Sequence, residues 1–191
     1  MKFPRLIAAA AITLAAFAYS SVASAAEYLT IQLKDGPVVI ELMPEVAPKH
    51  VERLKELASK GAYDNVAFHR VIDGFMAQTG DVEFGNMEKN FQPQMAGMGG
   101  SDLPDLPAEF SDVPFERGVV GMARSQDPDS ANSQFFIMFA PGEFLNGQYT
   151  VVGKVVSGME YVDKIKRGDE ATNGSVTDPD RMIKVTVGKP N

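Results

Sequence analysis

The order of short apolar runs is the feature that most restricts how this chain can fold. Seven or eight stretches have the length and the β-branched or aromatic content of strands, and most are bounded by turn signals. They include EYLTIQL and PVVIELM around Asp35-Gly36, VAFHRVI and FMAQT around Asp73-Gly74, and then GVVGMA, SQFFIMFA, YTVVGKVV and RMIKVTVG. A parallel α/β sheet would need a helix after nearly every strand, so this order favours an antiparallel sheet.

Two segments have helical features. The first begins near Pro48, which suits a first helical turn, and ends before Gly61, which suits a helix C-terminus. Its apolar residues repeat with helical spacing: Val51, Leu54, Leu57 and Ala58. The second segment, MEYVDKIKRG, is short and ends at Gly168. The sequence therefore predicts an all-β fold with two helices, built as a closed antiparallel barrel, because closure removes exposed strand edges.

Residues 82–114 separate the earlier strands from the later ones and have neither a helix period nor a strand period. The segment is rich in proline and glycine and predicts a long loop, which in a compact domain is usually functional or disordered. Met87, Met95 and Met98 allow a copper-binding thioether site, although flexible packing is the commoner role of such residues.

The N-terminus has the pattern of a cleaved secretory signal. A basic start is followed by an apolar run over residues 6–19 and by the small residues Ala23-Ser24-Ala25. A membrane-spanning helix would need ~20 apolar residues, so an anchor is the weaker interpretation. We expect cleavage after Ala25 and a single domain over residues 26–191. Removal of the signal leaves 166 of 191 residues and moves the net charge from −7 to −9, because Lys2 and Arg5 are lost.

Charge and cysteine content restrict the partners and the compartment. An acidic protein is a poor candidate for nucleic acid, and after signal cleavage no membrane partner is expected. The chain has no cysteine, which excludes disulfides and thiolate catalysis. A periplasmic or secreted protein fits these features best.

The motifs of cofactor and covalent chemistry are missing from the sequence. His50 and His69 have no H-x-x-H spacing, so no metal site is predicted. There is also no G-x-S-x-G elbow, Walker loop or G-x-G-x-x-G run. We therefore expect a function that needs no cofactor and no covalent intermediate.

Three blocks carry a resemblance to a known family. FHRVIDGFMAQTGD (residues 68–81), ANSQFFI (131–137) and GKVVSGME (153–160) resemble the signature blocks of the cyclophilins. The resemblance extends from about Tyr28 to the C-terminus. It implies a peptidyl-prolyl cis-trans isomerase, acting on proline-containing polypeptides, with a closed eight-stranded antiparallel β-barrel capped by two α-helices. A monomer is the default expectation.

The resemblance also assigns the site. Arg70 and Gln78 are the expected catalytic residues: Arg70 would donate to the proline nitrogen when the amide twists, and Gln78 would hold the substrate carbonyl side. The expected substrate-binding residues are Phe75, Met76, Ala123, Arg124, Gln134, Phe136, Phe144, Leu145 and Tyr149. Strand alternation places Met76 and Gln78 on one face but Phe75 on the other, so the role of Phe75 rests on the resemblance alone.

The sequence departs from the family pattern at three of these positions. Phe144 stands where many members have tryptophan, Tyr149 where histidine is usual, and Arg124 where asparagine is common. The tryptophan indole N–H commonly binds cyclosporin, and phenylalanine lacks that donor, so we expect weak cyclosporin binding. The contact at position 124 is made through the backbone, so little should be lost there.

Structural alternatives exist for the key residues. Arg70 could be a buried ion-pair partner, and His69 is expected to be a core histidine with satisfied hydrogen bonds. For the whole protein, the two hypotheses are an exported prolyl isomerase that assists the folding of exported proteins, and a peptide-binding module or chaperone on the same scaffold.

Overall fold

The computed structural model describes residues 26–189. The predicted signal segment, residues 1–25, lies outside the described residues, and so does the predicted cleavage position after Ala25. The described chain begins at Ala26, the residue that would follow the cleavage position. The strands are β1 Glu27–Gln32, β2 Pro37–Leu42, β3 Val66–Ala67, β4 Arg70–Ile72, β5 Met76–Thr79, β6 Val119–Met122, β7 Phe135–Met138, β8 Val151–Ser157, β9 Arg181–Met182 and β10 Lys184–Val187. The α-helices are α1 Pro48–Ser59 and α2 Met159–Val162, and two 3₁₀ turns span Glu143–Leu145 and Glu170–Thr172. None of the helices within residues 26–189 is long and apolar enough to cross a bilayer.

Eight of the strands form one antiparallel sheet in the order β10-β1-β2-β8-β6-β7-β5-β4. The mostly-β fold with two helices is thus confirmed. The prediction of a closed barrel is wrong, because β4 and β10 end the sheet without pairing with each other. The sheet curves through 201° and is an open half-barrel.

The barrel stays open because an irregular segment takes the place of a closing strand along β4. Val71 N donates to Gly174 O at 2.8 Å, and Gly168 N donates to Val71 O at 2.8 Å. Val176 N also donates to the carbonyl of His69, just before β4. These hydrogen bonds satisfy backbone N–H and C=O groups on the free edge of β4, so this strand does not require pairing with β10. A separate two-stranded sheet pairs β3 with β9, the strands that precede β4 and β10 in the chain.

Local sequence signals explain the first hairpin and the first helix. β1 and β2 pair in register around Asp35-Gly36, as predicted. Helix α1 has Pro48 in its first turn. At its end Gly61 has φ +67°, and Ala62 N donates to Leu57 O at 2.9 Å, which is the hydrogen bond of a glycine-terminated helix. Both predictions are confirmed.

The second helix is shorter than its sequence predicts. α2 ends at Val162, and the chain continues in turns in which Lys164 N donates to Tyr161 O and Ile165 N to Val162 O. Gly168 N donates to Val71 O on the edge of β4, and this contact directs the chain away from a helical path.

Apolar residues form two clusters. The larger lies between α1 and the concave sheet and includes Leu29, Ile40, Leu54, Phe68 and Phe135. The smaller is formed by Met76, Phe115, Val119, Phe136, Met138, Leu145 and Val151, and it supports the surface cavity described below.

The long loop over residues 82–114 is held by buried polar side chains. The fully buried Asp81 carboxylate accepts from the backbone N–H groups of Phe84 at 2.9 Å, Gly97 at 2.7 Å and Gly99 at 3.0 Å. Farther along, Glu109 accepts from Lys49 N and His50 N, at 3.1 and 3.2 Å, and from His50 Nδ1 at 2.7 Å. The loop is therefore ordered by non-local hydrogen bonds, and Glu109 caps α1, whose own N-cap residue, Ala47, provides no side-chain bond.

Removal of this cap should destabilise the fold. Glu109→Ala leaves two helix N–H groups and the buried His50 ring without their acceptor, and we expect the free energy of unfolding to fall by about 1–2 kcal/mol. Urea denaturation measures this difference. Glu52→Ala is the matched control on the same helix, because the Glu52 side chain is 73% exposed. Equal effects of the two substitutions would contradict the capping role of Glu109.

Candidate active site

Arg70 is the first residue of the edge strand β4 and lies opposite Gln78 on β5. Its Nη1 donates to Gln78 Oε1 at 3.2 Å. Its Nε and Nη2 donate to Asn173 O and Asn173 Oδ1, both at 3.0 Å. Within residues 26–189 no carboxylate lies within 4.0 Å of the guanidinium, so the ion-pair alternative for Arg70 finds no support there.

Asn173 is a site residue that the sequence did not reveal. The Asn173-Gly174 pair predicted a turn, and Asn173 has the left-handed conformation expected there, with φ +55°. In that conformation its backbone carbonyl and its side-chain oxygen both face Arg70. A turn signal alone could not identify this role, because the partner is 103 residues away along the chain.

Two glutamines extend the polar network from Arg70 to the long loop. Gln78 Nε2 donates to Gln134 Oε1 at 3.0 Å, and Gln134 Nε2 donates to Gly97 O at 3.0 Å and Gly99 O at 2.8 Å. Because Arg70 can only donate, it fixes which end of the Gln78 amide points toward it, and Gln78 in turn fixes Gln134. The network sets the orientation of both amides.

A surface cavity of about 460 Å³ lies beside the guanidinium. It is lined by Arg70, Phe75, Met76, Gln78, Ala123, Arg124, Phe136, Phe144, Leu145, Gln148 and Tyr149. This set contains all the sequence-predicted site residues except Gln134, and it adds Gln148. Gln134 lines an adjoining cavity of about 510 Å³, which also contains Gln78, Ala123 and Arg124.

Phe136 forms the apolar floor of the first cavity. Its ring stacks on Phe115 at 5.7 Å between centroids and meets the edge of Tyr149 at 5.8 Å. Gly121 lies across the sheet from Phe136. A Cβ at Gly121 would lie 2.6 Å from both Phe115 and Phe136, so only glycine leaves room for this aromatic floor.

Phe75 lies on the cavity although strand alternation places it on the opposite face. It precedes β5 and belongs to the turn, where Phe75 N donates to Ile72 O at 3.1 Å and Gly74 has φ +66°. The period of two therefore does not apply to it. Its ring contacts Phe144 at 5.4 Å between centroids, and Phe144 is 71% exposed at the rim.

His69 is buried directly before Arg70, but it is not a satisfied core histidine. Within the described residues neither ring nitrogen has a hydrogen-bond partner. Burial lowers the pKa of His69 below its ordinary value. The ring is therefore neutral at pH 7 and adds no second charge beside Arg70.

Arg70 contributes a positive charge to the cavity. Loss of hydration lowers the pKa of its guanidinium, although arginine remains protonated throughout the physiological range. Of the described residues, no group of three or more acidic or histidine side chains is placed to hold a metal ion. The fold and the site together define a protein that can hold an apolar ring beside a fixed, positively charged hydrogen-bond donor.

The family of the chain agrees with this site. Residues 28–187 match the model of the cyclophilin-type peptidyl-prolyl cis-trans isomerase/CLD family. The chain therefore belongs to the cyclophilin-type peptidyl-prolyl cis-trans isomerases. This confirms the resemblance and the predicted enzyme class.

Relatives and solved structures support the assignment. A probable peptidyl-prolyl cis-trans isomerase of Brucella suis is 61% identical over 98% of this chain and 97% of its own length. Peptidyl-prolyl cis-trans isomerase B of Bacillus subtilis is 38% identical over 72% of this chain and 89% of its own. A Cryptosporidium parvum cyclophilin-type isomerase, solved in the presence of the dipeptide Ala-Pro, is 26% identical with a TM-score of 0.72, and the match covers 85% of this chain and 99% of that one.

The Asn173 contact can be tested separately from the rest of the site. Asn173→Gly keeps the left-handed turn but removes the oxygen that accepts from Nη2, so we expect kcat/KM on a proline peptide to fall by about five-fold, the equivalent of one hydrogen bond. The matched control is Asn65→Gly, because Asn65 is a second left-handed asparagine, with φ +62°, outside the cavity. Equal losses in the two variants would mean that Asn173 acts through the fold and not through Arg70.

Proposed function

We propose that Arg70 accelerates rotation about X-Pro bonds by donating a hydrogen bond to the proline nitrogen, while the proline ring lies in the 460 Å³ cavity. The observation that carries this proposal is the fixed position of the guanidinium. Asn173 and Gln78 hold it at the cavity, and no carboxylate within the described residues neutralises it.

The chemistry of the bond explains why one donor is useful. Rotation of a peptide bond has a barrier of ~18–20 kcal/mol, because resonance is lost in the twisted state. At the twist the proline nitrogen regains a localised lone pair. A donor directed at that nitrogen stabilises the transition state more than the planar ground state, and this difference is what lowers the barrier.

The size of the effect depends on the cavity as well as on the donor. A hydrogen bond to a charged group contributes ~1.5–3 kcal/mol. The apolar walls formed by Met76, Phe136 and Leu145 keep water away from the bond and so strengthen the interaction. Because the Arg70 side chain is already held by Asn173 and Gln78, little of this interaction free energy is lost to the entropy of ordering it.

The remaining polar residues align the peptide in this proposal. Gln78 uses one amide hydrogen on Gln134 and has a second, since the group carries two, for the substrate carbonyl. Gln134 and the backbone at Ala123 and Arg124 then guide the chain where it leaves the cavity. These residues line the passage between the two cavities or lie directly beside it.

The biological substrates are proposed to be exported proteins that fold in the periplasm or outside the cell. The support is the signal pattern over residues 1–25, the acidic charge of the remaining chain and the lack of cysteine. X-Pro isomerisation takes tens to hundreds of seconds without catalysis and can limit folding. The protein is proposed to act as a monomer and without a cofactor.

The second candidate function is peptide binding or chaperone activity on the same scaffold. The exposed apolar side chains Phe144 and Met98, 71% and 74% accessible, favour some retention of unfolded chains. Simple retention does not require a rigidly held guanidinium, and the enzyme is therefore the preferred function.

Arg70→Ala tests the proposal. We expect kcat/KM to fall by roughly two to three decades, because a preorganised donor is lost, while peptide affinity and melting temperature change little. A protease-coupled assay and calorimetric binding to the same proline peptide give the two quantities. Arg181→Ala, which removes a partly exposed arginine paired with Glu88, is the charge-matched control. An unchanged rate in Arg70→Ala would remove Arg70 from the mechanism and favour the binding function.

The weak binding of cyclosporin is a second proposal, and it depends on Phe144. Phe144→Trp restores an indole N–H at the rim, so we expect inhibition by cyclosporin to become about three- to ten-fold tighter, the effect of one net hydrogen bond. The inhibition constant measured in the isomerase assay provides the comparison. Phe110→Trp is the control at another exposed phenylalanine. Nanomolar inhibition of the unmodified protein would contradict the proposal.

A further inference from the structure

Arg124 lies where the two cavities meet. It follows β6, and it is one of three residues, with Gln78 and Ala123, that line both cavities. A peptide that occupied both cavities would pass this position. Consecutive Cα atoms are ~3.8 Å apart, so the residues that pass Arg124 are within one or two positions of the proline.

The side chain of Arg124 is held in one orientation. Its guanidinium carbon lies 4.4 Å from the centroid of the Tyr149 ring. Nε and Nη2 both donate to Gln148 O, at 3.2 and 2.8 Å, and Nη1 donates to Ser125 O and Gln126 O, at 2.9 and 3.3 Å. These are four bonds of a group with five N–H donors, so one donor remains for an incoming acceptor.

The charge of Arg124 is not neutralised by these contacts. All its acceptors are backbone carbonyls, and no carboxylate of the described chain lies within 4.0 Å. The residue is partly exposed, so a substrate can reach it. The opposite charge in the second cavity is Asp105, an exposed residue whose carboxylate accepts from Asn132 Nδ2 at 2.9 Å.

We propose that Arg124 makes the enzyme selective for X-Pro substrates that carry an acidic residue within two positions of the proline. This inference rests on the proposed isomerase function and adds a substrate class to it. The fixed guanidinium attracts a carboxylate without having to be ordered on binding, and it contributes a direct hydrogen bond through its remaining donor. Asp105 opposes the same carboxylate from the second cavity.

A purely structural role for Arg124 gives a different result. In that case the guanidinium would only support Tyr149 and the 124–126 turn, and its loss would lower activity equally for acidic and neutral substrates. The ratio of kcat/KM between two substrates separates the roles, because a general loss of activity cancels in the ratio.

The test compares peptides that differ only by Glu and Gln at each of the two positions before and after the proline. NMR exchange spectroscopy measures isomerisation without a coupled protease and its own sequence preference. For the unmodified enzyme we expect the Glu/Gln ratio of kcat/KM to reach about two- to five-fold at one or more positions, the range of a partly exposed ion pair. The ratio should fall toward one as salt increases from 0.01 to 1 M, since the screening length shrinks from ~30 to ~3 Å.

Three variants complete the test. Arg124→Gln should reduce the ratio to one or below, Asp105→Asn should increase it, and Arg181→Gln, which removes a distant positive charge, should leave it unchanged. A ratio of one in the unmodified enzyme, or a ratio that Arg124→Gln does not alter, would overturn the inference. Absence of activity on the Gln peptides would instead overturn the proposed function, so the two failures can be told apart.

Discussion

The contact between Arg70 and the turn at Asn173 is the interaction on which the site depends. Two donors of the guanidinium meet two oxygens of one residue, and the third direction is fixed by Gln78. This arrangement follows from the open sheet. Because β4 is an edge strand, the irregular segment 168–176 can lie along it and bring Asn173 to Arg70. A closing strand in that place would offer regular backbone pairing and no such acceptor pair.

The polar network also connects Arg70 with the long loop over residues 82–114. Gln78 connects Arg70 with Gln134, and Gln134 holds two carbonyls of the loop, whose N–H groups are bound by the buried Asp81. The polar network and the aromatic floor therefore meet at one strand pair, β5 and β7. The cost of burying polar groups is offset because each group in the network has a partner. His69, the neighbour of Arg70 in the chain, is buried without such a partner among the described residues.

Local signals in the sequence predicted most of the helices and strands, and the family resemblance predicted most of the residues that line the cavity. Glycine and proline placed the ends of α1, Asp-Gly pairs placed two hairpins, and the family resemblance gave all the residues that line the first cavity except Gln148. Features decided by distant contacts were missed. The capping of α1 by Glu109, the clamp of Asn173 on Arg70 and the contacts along the open edge of β4 join residues 59 to 107 positions apart. Strand periodicity also failed for Phe75, because that residue belongs to a turn.

The most direct measurement is a crystal structure of the protein with a bound X-Pro dipeptide. The account predicts that the proline ring packs on Phe136 and Leu145, with a guanidinium nitrogen of Arg70 within about 3.5 Å of the proline nitrogen and with Asn173 still bound to Arg70. A proline ring outside this cavity, or an Arg70 that turns away from the peptide, would contradict it.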